Sequence, residues 1–492
     1  MRDKFVSPYR YLLSRIRQAA IGKTLQWLLP IIFLAQILSS CTPFAPAARL
    51  GHKETSLPGF FSIKDTIADP GQRWWESFDD KQLNSFINEA LSENQTLASY
   101  WARFDKAQAQ ARKSGADLRP SLSGDGGASY RRMRTDDGNA SSTTENKNYS
   151  IGLVASYEVD LWGRIRASRE SEHLSAEASR EDLNAAAITI AAEITELWTS
   201  LLSQKLQKQL LERQLSLNEI YLDLVDLRFR KSLASALDVL QQKQLVEKIK
   251  AQLPLIEMQE HMLKNQLAVL LGRMPHDLPE ITGQELPVLD VVPAAGLPVQ
   301  LLENRPDIIG ALKRLEAADQ DLAAARADLL PGLRLTGSGS YDSDELDQLF
   351  DNWIINLAAA LTAPIIDGGK RRDEVDINRA EVQENLAAYR HLVLSAVREV
   401  EDGLIRETKT REHIIALNKQ LQTSKKALDE ARSRYVNGLN DYLPVLTQLL
   451  SVQGLENDLI QRQADLIIAR VSLYRAIGGS WTDELSPPVK NN

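Results

Sequence analysis

A ten-residue segment of the chain reads Ile151-Gly152-Leu153-Val154-Ala155-Ser156-Tyr157-Glu158-Val159-Asp160. The odd-numbered positions of this segment are apolar, and the even-numbered positions are mostly small or polar. Because successive side chains of a strand point to opposite faces, the alternation predicts a β-strand with one apolar and one polar face. Residues 353–365 alternate in the same way, and so do the residues that follow Pro120.

Strands of about ten residues with one apolar and one polar face fit a membrane barrel with a wet lumen. A half-buried sheet in a soluble protein would alternate too, so periodicity alone leaves both interpretations open. Four strands cannot close by themselves, and lipid does not tolerate an open sheet edge. In a membrane, symmetric copies would therefore complete a barrel of eight, twelve or sixteen strands. Aromatic residues near the predicted strand ends would form the interfacial belts: Tyr130, Tyr149, Tyr157, Tyr341 and Trp353.

The chain is an internal duplication. Pro120 matches Pro331 at a shift of 211 residues, and Gly272 matches Gly478 at a shift of 206. A five-residue difference inside the Ser/Thr/Asn/Asp-rich stretch 135–148, predicted to be a polar loop between two short strands, accounts for the change of shift. A register this constant predicts two copies of one structural unit.

Helical stretches flank the predicted strands in each copy. Those before the strands, 83–118 and 308–330, each end near a proline. The stretch after the first pair, 166–228, has neither proline nor glycine, which predicts roughly 90 Å of continuous helix. Its counterpart, 370–435, is predicted to be interrupted only at Gly403.

A turn and a returning helix follow each long helix. Residues 230–235 and 436–441 break the apolar pattern, and a second helical stretch then begins. Long helices are stable only when they pack along their length, so each copy is predicted to be an antiparallel helical hairpin. The helices alone would also fit an ordinary coiled coil. The apolar stripe of the first long helix recurs at spacings of three and four: Ile188, Ala191, Ala192, Ile194, Thr195, Trp198, Leu201 and Leu202.

Composition excludes several functions. A net charge of −8 without a basic stripe beyond the first 23 residues argues against a nucleic-acid partner. The six histidines are scattered without metal-ligand spacing, and no catalytic or phosphate-binding motif is present. The paired acids Asp136 and Asp137 lie in the predicted polar loop and are expected to be solvated. The chain is therefore predicted not to be an enzyme, with no cofactor and no metal.

The cysteine at position 41 is expected to carry a lipid anchor. Residues 1–40 have a basic start and an apolar run of about 14 residues, too short to span a bilayer, and they describe a secretory signal. Leu38-Ser39-Ser40-Cys41 resembles a bacterial lipobox, in which the cysteine receives a diacylglycerol and its new amine an acyl chain. Three acyl chains anchor a protein stably in a membrane. Thr42 is not the aspartate of inner-membrane retention, so the resemblance points to the outer membrane; the alternative is a transmembrane stub with an incidental cysteine.

Several motifs in this order are similar to those of the TolC-like outer-membrane efflux proteins, in particular the NodT/OprM-like lipoprotein subgroup. The similarity covers nearly all of the chain after the signal. It is carried by these segments: Trp74-Trp75, Asp160-Leu161-Trp162-Gly163-Arg164, Asn304-Arg305-Pro306-Asp307-Ile308, Asp367-Gly368-Gly369-Lys370, Arg434-Tyr435-Val436-Asn437-Gly438 and Tyr474-Arg475-Ala476-Ile477-Gly478-Gly479-Ser480-Trp481.

The resemblance implies a homotrimer with a twelve-stranded barrel in the outer membrane and a periplasmic tunnel of helical hairpins. Such a duct takes cargo passively from an inner-membrane pump through a periplasmic adaptor protein. The domains then follow in chain order: signal peptide 1–40; N-terminal tether and equatorial segment 41–78; first repeat 79–272, with β-hairpin 118–160 and helical hairpin 164–272; equatorial connector 273–304; second repeat 305–481, with β-hairpin 330–366 and helical hairpin 369–479; and C-terminal tail 482–492.

The two turns between long helices would form the periplasmic tip. Leu443 stands where relatives place an apolar ring that narrows the pore; alternatively, Leu443 and Leu446 only pack the hairpin. Thr447 replaces an aspartate that many relatives carry, which predicts weak cation selectivity, and Asp238 could supply a charge instead. The remaining tip residues are Arg228, Ser232, Arg434, Tyr435 and Gly438.

Two other classes of protein stay open from the sequence. One is an outer-membrane-anchored periplasmic coiled-coil scaffold without a pore, whose β-segments cap the coil. The other is an enzyme or a binding lipoprotein with a site in 273–304. That segment holds almost no pairs of titratable residues, which disfavours a catalytic site.

Overall fold

The structure is a computed structural model of the 492-residue chain. The predicted signal peptide 1–40 and the predicted lipidation site Cys41 lie outside the described residues, as does Thr42. The described residues are 43–54, 57–61, 73–136, 141–278, 280–289 and 298–487.

Helices dominate the described part of the chain. The longer ones are α1 Lys81–Glu93, α2 Gln95–Ala116, α3 Arg164–Arg230, α4 Ala236–Leu270, α5 Pro306–Ala327, α6 Lys370–Val436 and α7 Leu443–Ile477. Short helical segments lie at Gly51–Glu54, Trp74–Phe78, Pro298–Gln300, Leu301–Asn304, Leu346–Gln348 and Ser480–Glu484. The four strands are β1 Ser121–Asp136, β2 Ser141–Val159, β3 Gly332–Ser343 and β4 Trp353–Thr362.

Element lengths repeat along the chain. Helices α2 and α5 have 22 residues each, and Pro306 lies 306 − 95 = 211 residues after Gln95. Helices α3 and α6 have 67 residues each, about 100 Å of helix, and Lys370 lies 370 − 164 = 206 residues after Arg164. Helices α4 and α7 have 35 residues each. These offsets are the two shifts found in the sequence.

The prediction of a single helix over 83–118 is wrong, because the chain is extended at Asn94. The side chain of Asn94 caps α2 by accepting a hydrogen bond from the Leu97 backbone N–H at 2.9 Å. Its amide also donates to the carbonyl of Leu270 at 2.7 Å. An asparagine that caps the next helix competes with continuation of the previous one, so α1 and α2 are separate.

The predicted interruption of the second long helix at Gly403 is also wrong, since α6 runs through it. A Cβ atom at Gly403 would lie 3.2 Å from Leu473 Cδ1 and 3.6 Å from Leu473 Cα. The glycine therefore lets α6 and α7 approach closely, and the contact compensates for its low helix propensity.

The four strands form one antiparallel sheet in the order β1-β2-β3-β4. The prediction of short strands with a polar loop over 135–148 is wrong for the first pair: β1 has 16 residues and β2 has 19. Their pairing continues to Asp136 opposite Ser141. Threonines and an Arg132–Glu145 ion pair extend this ladder, because β-branched residues and opposite charges favour cross-strand pairing.

The chain divides into two compact units. Of the described residues, the first unit comprises 43–48, 107–136, 141–175 and 315–385. It holds the sheet and packs helices through small residues such as Ala167, Ala323 and Ala324. The second unit comprises the described residues within 49–106, 176–314 and 386–487. Its largest apolar cluster includes Trp75, which meets Trp481 edge to face with ring centroids 4.7 Å apart.

Candidate functional site

The sheet has one continuous apolar face that crosses all four strands. Leu122 pairs with Ala155, which pairs with Gly337, which pairs with Leu357, and these residues share one face. Large apolar side chains on this face are exposed: Leu122, Ile151, Leu153, Leu335, Trp353, Ile355, Leu357 and Leu361. The opposite face carries Ser121, Ser123, Asp125, Ser156, Thr336, Ser338 and Asn356.

The apolar face has the height of a membrane band. Ten residues of β2 separate Tyr149 from Val159 on it, which is about 33 Å along the strand. A tilt of 35–45° reduces this to about 25 Å, the usual height of the lipid-facing band of a barrel. Tyr130 and Tyr149 lie inside their strands instead of at the predicted strand ends. Tyr149 lies two residues, about 7 Å, beyond the row that contains Tyr341 and Trp353, and Tyr130 lies about 13 Å beyond it. These four residues form the aromatic level at this end of the sheet, whereas Tyr157 lies near the opposite end of β2.

An aspartate fixes the junction between the sheet and the first long helix. The Asp160 carboxylate accepts hydrogen bonds from the backbone N–H groups of Ile165 at 3.1 Å and Arg166 at 3.0 Å. The N–H groups at a helix start lack intrahelical partners, and a carboxylate satisfies them well. Asp367 accepts in the same way from the Gly369 and Arg371 N–H groups at the start of α6.

The long helices α3 and α6 end in the same backbone motif. At the end of α3 the Leu233 N–H donates to the Arg228 carbonyl, and at the end of α6 the Leu439 N–H donates to the Arg434 carbonyl. Ser232 and Gly438 have positive φ angles of 60° and 74° at these ends. This is the Schellman arrangement, in which one residue adopts a left-handed backbone conformation, and glycine adopts that conformation without strain. We call the two reversals the tip turns.

Two of the predicted tip residues contact each other across the two copies. The guanidinium carbon of Arg228 lies 4.6 Å from the centroid of the Tyr435 ring, and Arg228 Nη1 donates to the Val436 carbonyl at 3.3 Å. Tyr435 is buried, and burial raises the pKa of its phenol. Arg434 is instead exposed and pairs with Glu430 on its own helix at 2.7 Å.

Leu443 and Leu446 have different surroundings. Leu446 is 8% exposed and belongs to the apolar cluster that joins the tip turns, as the packing alternative required. Leu443 is the first residue of α7 and is 58% exposed in the single chain. Packing within the hairpin therefore accounts for Leu446 and leaves the Leu443 side chain available for contacts outside the chain.

Two polar groups of the tip are engaged in local hydrogen bonds. The Thr447 hydroxyl donates to the Leu443 carbonyl at 2.9 Å on the same helix. The Asp238 carboxylate accepts from the Ser235 N–H at 2.9 Å, and the Asp238 N–H donates to the Ser235 hydroxyl at 3.2 Å. This reciprocal pair is a capping box that begins α4. Asp238 thus has a capping role at the start of α4, in addition to the charge predicted for it at the tip.

A buried hydrogen-bond chain lies behind Leu443. The Tyr442 hydroxyl donates to Gln242 Oε1 at 2.8 Å. Gln242 Nε2 donates to the Asn218 carbonyl at 2.8 Å, and Asn218 Nδ2 donates to the Gln214 carbonyl at 2.6 Å. Tyr442, Gln242 and Asn218 have no exposed surface, and burial raises the pKa of the Tyr442 phenol. These hydrogen bonds connect α3, α4 and the start of α7, and we call the series of hydrogen-bonded residues the tip relay.

The tip relay is not among the features predicted from the sequence, although the sequence contains a signal for it. Buried positions of α3 recur at spacings of three and four: Leu211, Gln214, Asn218, Tyr221 and Val225. Two of these core positions are amides. An amide at a core position of a helix must find a partner, so this pattern predicts a buried polar contact.

A buried ion pair joins the long helix α6 to α7. Glu407 and Arg470 are both buried, and Arg470 Nε donates to Glu407 Oε2 at 2.9 Å. A second contact runs from Arg470 Nη2 to Glu407 Oε1. Two parallel bonds match the planar guanidinium to the carboxylate, which is the geometry that best offsets the loss of hydration.

The Asn304-Arg305-Pro306-Asp307 motif anchors the second copy. Arg305 Nη1 donates to the Ala476 carbonyl at 3.1 Å, and its guanidinium pairs with Asp307 and Glu399. Asn94 holds the Leu270 carbonyl in the first copy, and Ala476 lies 206 residues after Leu270. Different side chains therefore make the same helix-end contact in the two copies. Within the described residues, no group of His, Cys, Asp and Glu is arranged to hold a metal ion.

Comparisons with known proteins agree with this geometry. Residues 86–273 and 297–479, more than half of the chain, match the family described as outer membrane efflux protein. The pyoverdine export outer membrane protein OpmQ of Pseudomonas aeruginosa is 33% identical over 93% of this chain and 97% of its own length. The outer membrane protein OprJ of the same species is 32% identical over 83% of this chain and 86% of its own.

A solved structure of the outer-membrane channel OprN has the same fold. It superposes with a TM-score of 0.82 at 26% identity, over 90% of this chain and all of that one. The predicted fold class, mainly helical with strands that belong to a membrane barrel, is confirmed. The predicted location in the outer membrane is confirmed as well. The chain therefore belongs to the outer membrane efflux protein family and is an outer-membrane component of an efflux system.

Proposed function

We propose that the chain forms, as a homotrimer, the passive exit duct of a tripartite efflux pump. One observation carries the proposal: the sheet combines an exposed apolar face of membrane height with two edges, β1 and β4, that have no strand partner among the described residues. In lipid such edges must be paired. Copies of the chain supply the pairing when β4 of one copy joins β1 of the next.

Three copies give the barrel that suits a duct. Two copies would make eight strands, and a barrel of that size is filled by its own side chains. Twelve strands leave space for water, and the polar face, with Ser123, Thr336 and Asn356, would line it. The resemblance to TolC-like proteins favours three copies over four.

Disulfide cross-linking between strand edges tests the assembly. Ser123→Cys on β1 is combined in turn with Asn356→Cys, Ala358→Cys and Ala360→Cys on β4, all on the polar face. We expect at least one combination to give covalent dimers and trimers on a denaturing gel. The control is Ser156→Cys with Thr336→Cys, a directly paired couple within one sheet that should cross-link without adding a chain.

Cross-linked products that contain two chains but never three would contradict the trimer. If no combination links chains while the control pair closes, the sheet edges do not meet. The result would then favour the alternative of an anchored coiled-coil scaffold whose strands cap the coil without entering lipid.

We further propose that the tip turns gate the duct. Three copies of Leu443 around a common axis would form an apolar constriction, and such constrictions close a pore by excluding water. The exposure of Leu443 and the burial of Leu446 support this assignment. With Thr447 where relatives carry an aspartate, the constriction would lack a carboxylate ring and would be weakly selective for cations.

The partners and the cargo follow from this role. An adaptor protein would dock on the tip turns, at residues such as Arg434 and Gly438, and would connect the duct to an inner-membrane pump. Relatives of similar identity are named for different cargoes: pyoverdine, toluene and antibiotics. This diversity supports selection of cargo by the pump and passive conduction by the duct, without a chemical step.

The membrane attachment and the segment organisation complete the proposal. Cys41 would carry diacylglycerol and an N-acyl chain that hold the N-terminus at the outer membrane, after removal of 1–40. The segments 41–78, 273–304 and 482–492 would form a layer around the middle of the helical tunnel. Incorporation of labelled palmitate tests the anchor: the wild-type protein should take up the label and Cys41→Ser should not. A Cys41→Ser protein that carries the label would contradict the proposal.

A further inference from the structure

The hairpin of β1 and β2 extends past the aromatic level of the sheet. Beyond the pair Tyr130–Lys147 the ladder continues to the pair Asp136–Ser141. Six residues of β1 therefore project, about 20 Å along the strand. Strands β3 and β4 end near the aromatic level, at Ser343 and Trp353. The helices join the sheet at its opposite end, so this projection lies on the outer side of the membrane.

The face that meets lipid becomes cationic in this projection. The period of two places Arg132, Arg134 and Lys147 on the same face as Tyr130 and Tyr149. Lys147 pairs with Tyr130 itself, Arg132 lies two residues (about 7 Å) further on, and Arg134 about 13 Å. We call these three residues the outer cationic row. Arg131, next to Arg132 in sequence, lies on the other face.

The outer cationic row is held by contacts that exchange easily. Arg132 Nε lies 3.3 Å from a carboxylate oxygen of Glu145, but these side chains are 66% and 50% exposed. Arg134 Nη2 donates to the Ser141 hydroxyl at 3.4 Å. Exposed ion pairs contribute at most about 1 kcal/mol, so a stronger anion can replace the carboxylate. A phosphate accepts the guanidinium fork with two bonds.

We propose that the outer cationic row binds the phosphate groups of the phosphorylated glycolipid in the outer leaflet of the outer membrane. The occupant follows from the position of the row. It begins at the pair of Tyr130 and Lys147, where the aromatic level ends, and an aromatic belt marks the boundary between acyl chains and headgroups. A headgroup phosphate is the anion at that height, and the row complements its charge. This inference rests on the membrane placement of the sheet in the proposed function.

Lipid retention by the assembled protein measures the binding. The full-length trimer is purified, exchanged into nanodiscs that contain bisphosphorylated lipid A, and weighed with its bound lipid by native mass spectrometry. We expect Arg132→Gln combined with Lys147→Gln to lower retention roughly 25-fold, since each basic residue at a charged membrane surface contributes about fivefold. Arg132→Gln alone should lower retention about fivefold. Its matched control, Arg131→Gln, removes the same single charge one residue away on the opposite face and should change retention less than twofold.

Three results would overturn the proposal. If Arg131→Gln lowers lipid retention as much as Arg132→Gln does, retention depends on the total charge of the hairpin and not on the charge of its lipid-facing side. Equal retention of lipid A stripped of its phosphates would exclude phosphate recognition. Displacement of the lipid by millimolar inorganic phosphate would indicate a site for free phosphate instead of a headgroup.

The same samples separate this inference from the proposed function. Trimer mass and edge cross-linking report assembly, and the variants are expected to retain both. Assembled trimers whose lipid retention does not depend on the outer cationic row would refute the inference and leave the duct intact. A wild-type protein that does not assemble would refute both.

Discussion

The Tyr442 hydroxyl donates a hydrogen bond to Gln242 Oε1 over 2.8 Å, with both side chains fully buried. Tyr442 directly precedes Leu443, while Gln242 belongs to the helical hairpin of the other copy. The bond therefore ties the start of the helix that carries Leu443 to its neighbour. It gives the proposed gate a fixed position before any second chain is added.

Tyr442→Phe is expected to destabilise the tip. The change leaves Gln242 Oε1 buried without its donor, which costs about 1–3 kcal/mol. The midpoint of thermal unfolding should fall, and the resting conductance in planar bilayers should rise because Leu443 is held less firmly. In a Gln242→Leu background the same change should cost less, since its acceptor is gone. An equal cost in both backgrounds would show that the bond contributes nothing.

Replacing Leu443 with alanine is expected to raise conductance in planar bilayers. A smaller side chain widens an apolar constriction and lets water enter it. Leu439→Ala is the control, because Leu439 is also exposed in a tip turn but precedes α7. It should leave conductance near the wild-type value. Unchanged conductance in Leu443→Ala would remove this residue from the gate.

Thr447→Asp is expected to make the duct prefer cations. Three carboxylates near the constriction would attract cations and repel anions. The measurement is the reversal potential in a salt gradient, which should shift toward the cation equilibrium potential and shift less at high salt. Asp238→Asn should move it little, because that carboxylate already caps α4. A large shift in Asp238→Asn would instead make Asp238 the selectivity group.

Glu407→Gln is expected to destabilise the protein by about 3–5 kcal/mol, because Arg470 would stay buried without its counter-charge. The matched control is Glu412→Gln on the same helix, where the pair with Lys409 is exposed. That change should stay within about 0.5 kcal/mol of wild type. Thermal unfolding of both variants in one detergent checks the difference. Equal effects would mean that burial of the pair does not determine its contribution.

The sequence was most informative where a pattern is local and periodic. The alternation from Ile151 to Val159 predicted a strand and both of its faces, and the absence of proline and glycine over 166–228 predicted the long helix. The positive φ angle of Gly438 also follows from its place in a turn. Each of these features depends on near neighbours in the chain.

Predictions failed where pairing and packing contacts decide the structure and local composition does not. Asn94 ends a helix partly because its side chain meets Leu270, which is 176 positions away. The stretch 135–148 has a polar composition typical of loops, yet cross-strand pairing extends the hairpin through most of it. The tip relay joins Asn218 of α3, Gln242 of α4 and Tyr442, which directly precedes α7. Such contacts depend on how strands pair and helices pack, and neither follows from the local composition of the chain.

The central claim is that three copies of this chain close one barrel in the outer membrane. Electron microscopy of the detergent-purified protein tests it most directly. The account predicts particles with three-fold symmetry, a barrel of membrane height at one end, and a helical extension from it. Thin rods without a barrel end, or particles of another symmetry, would contradict it.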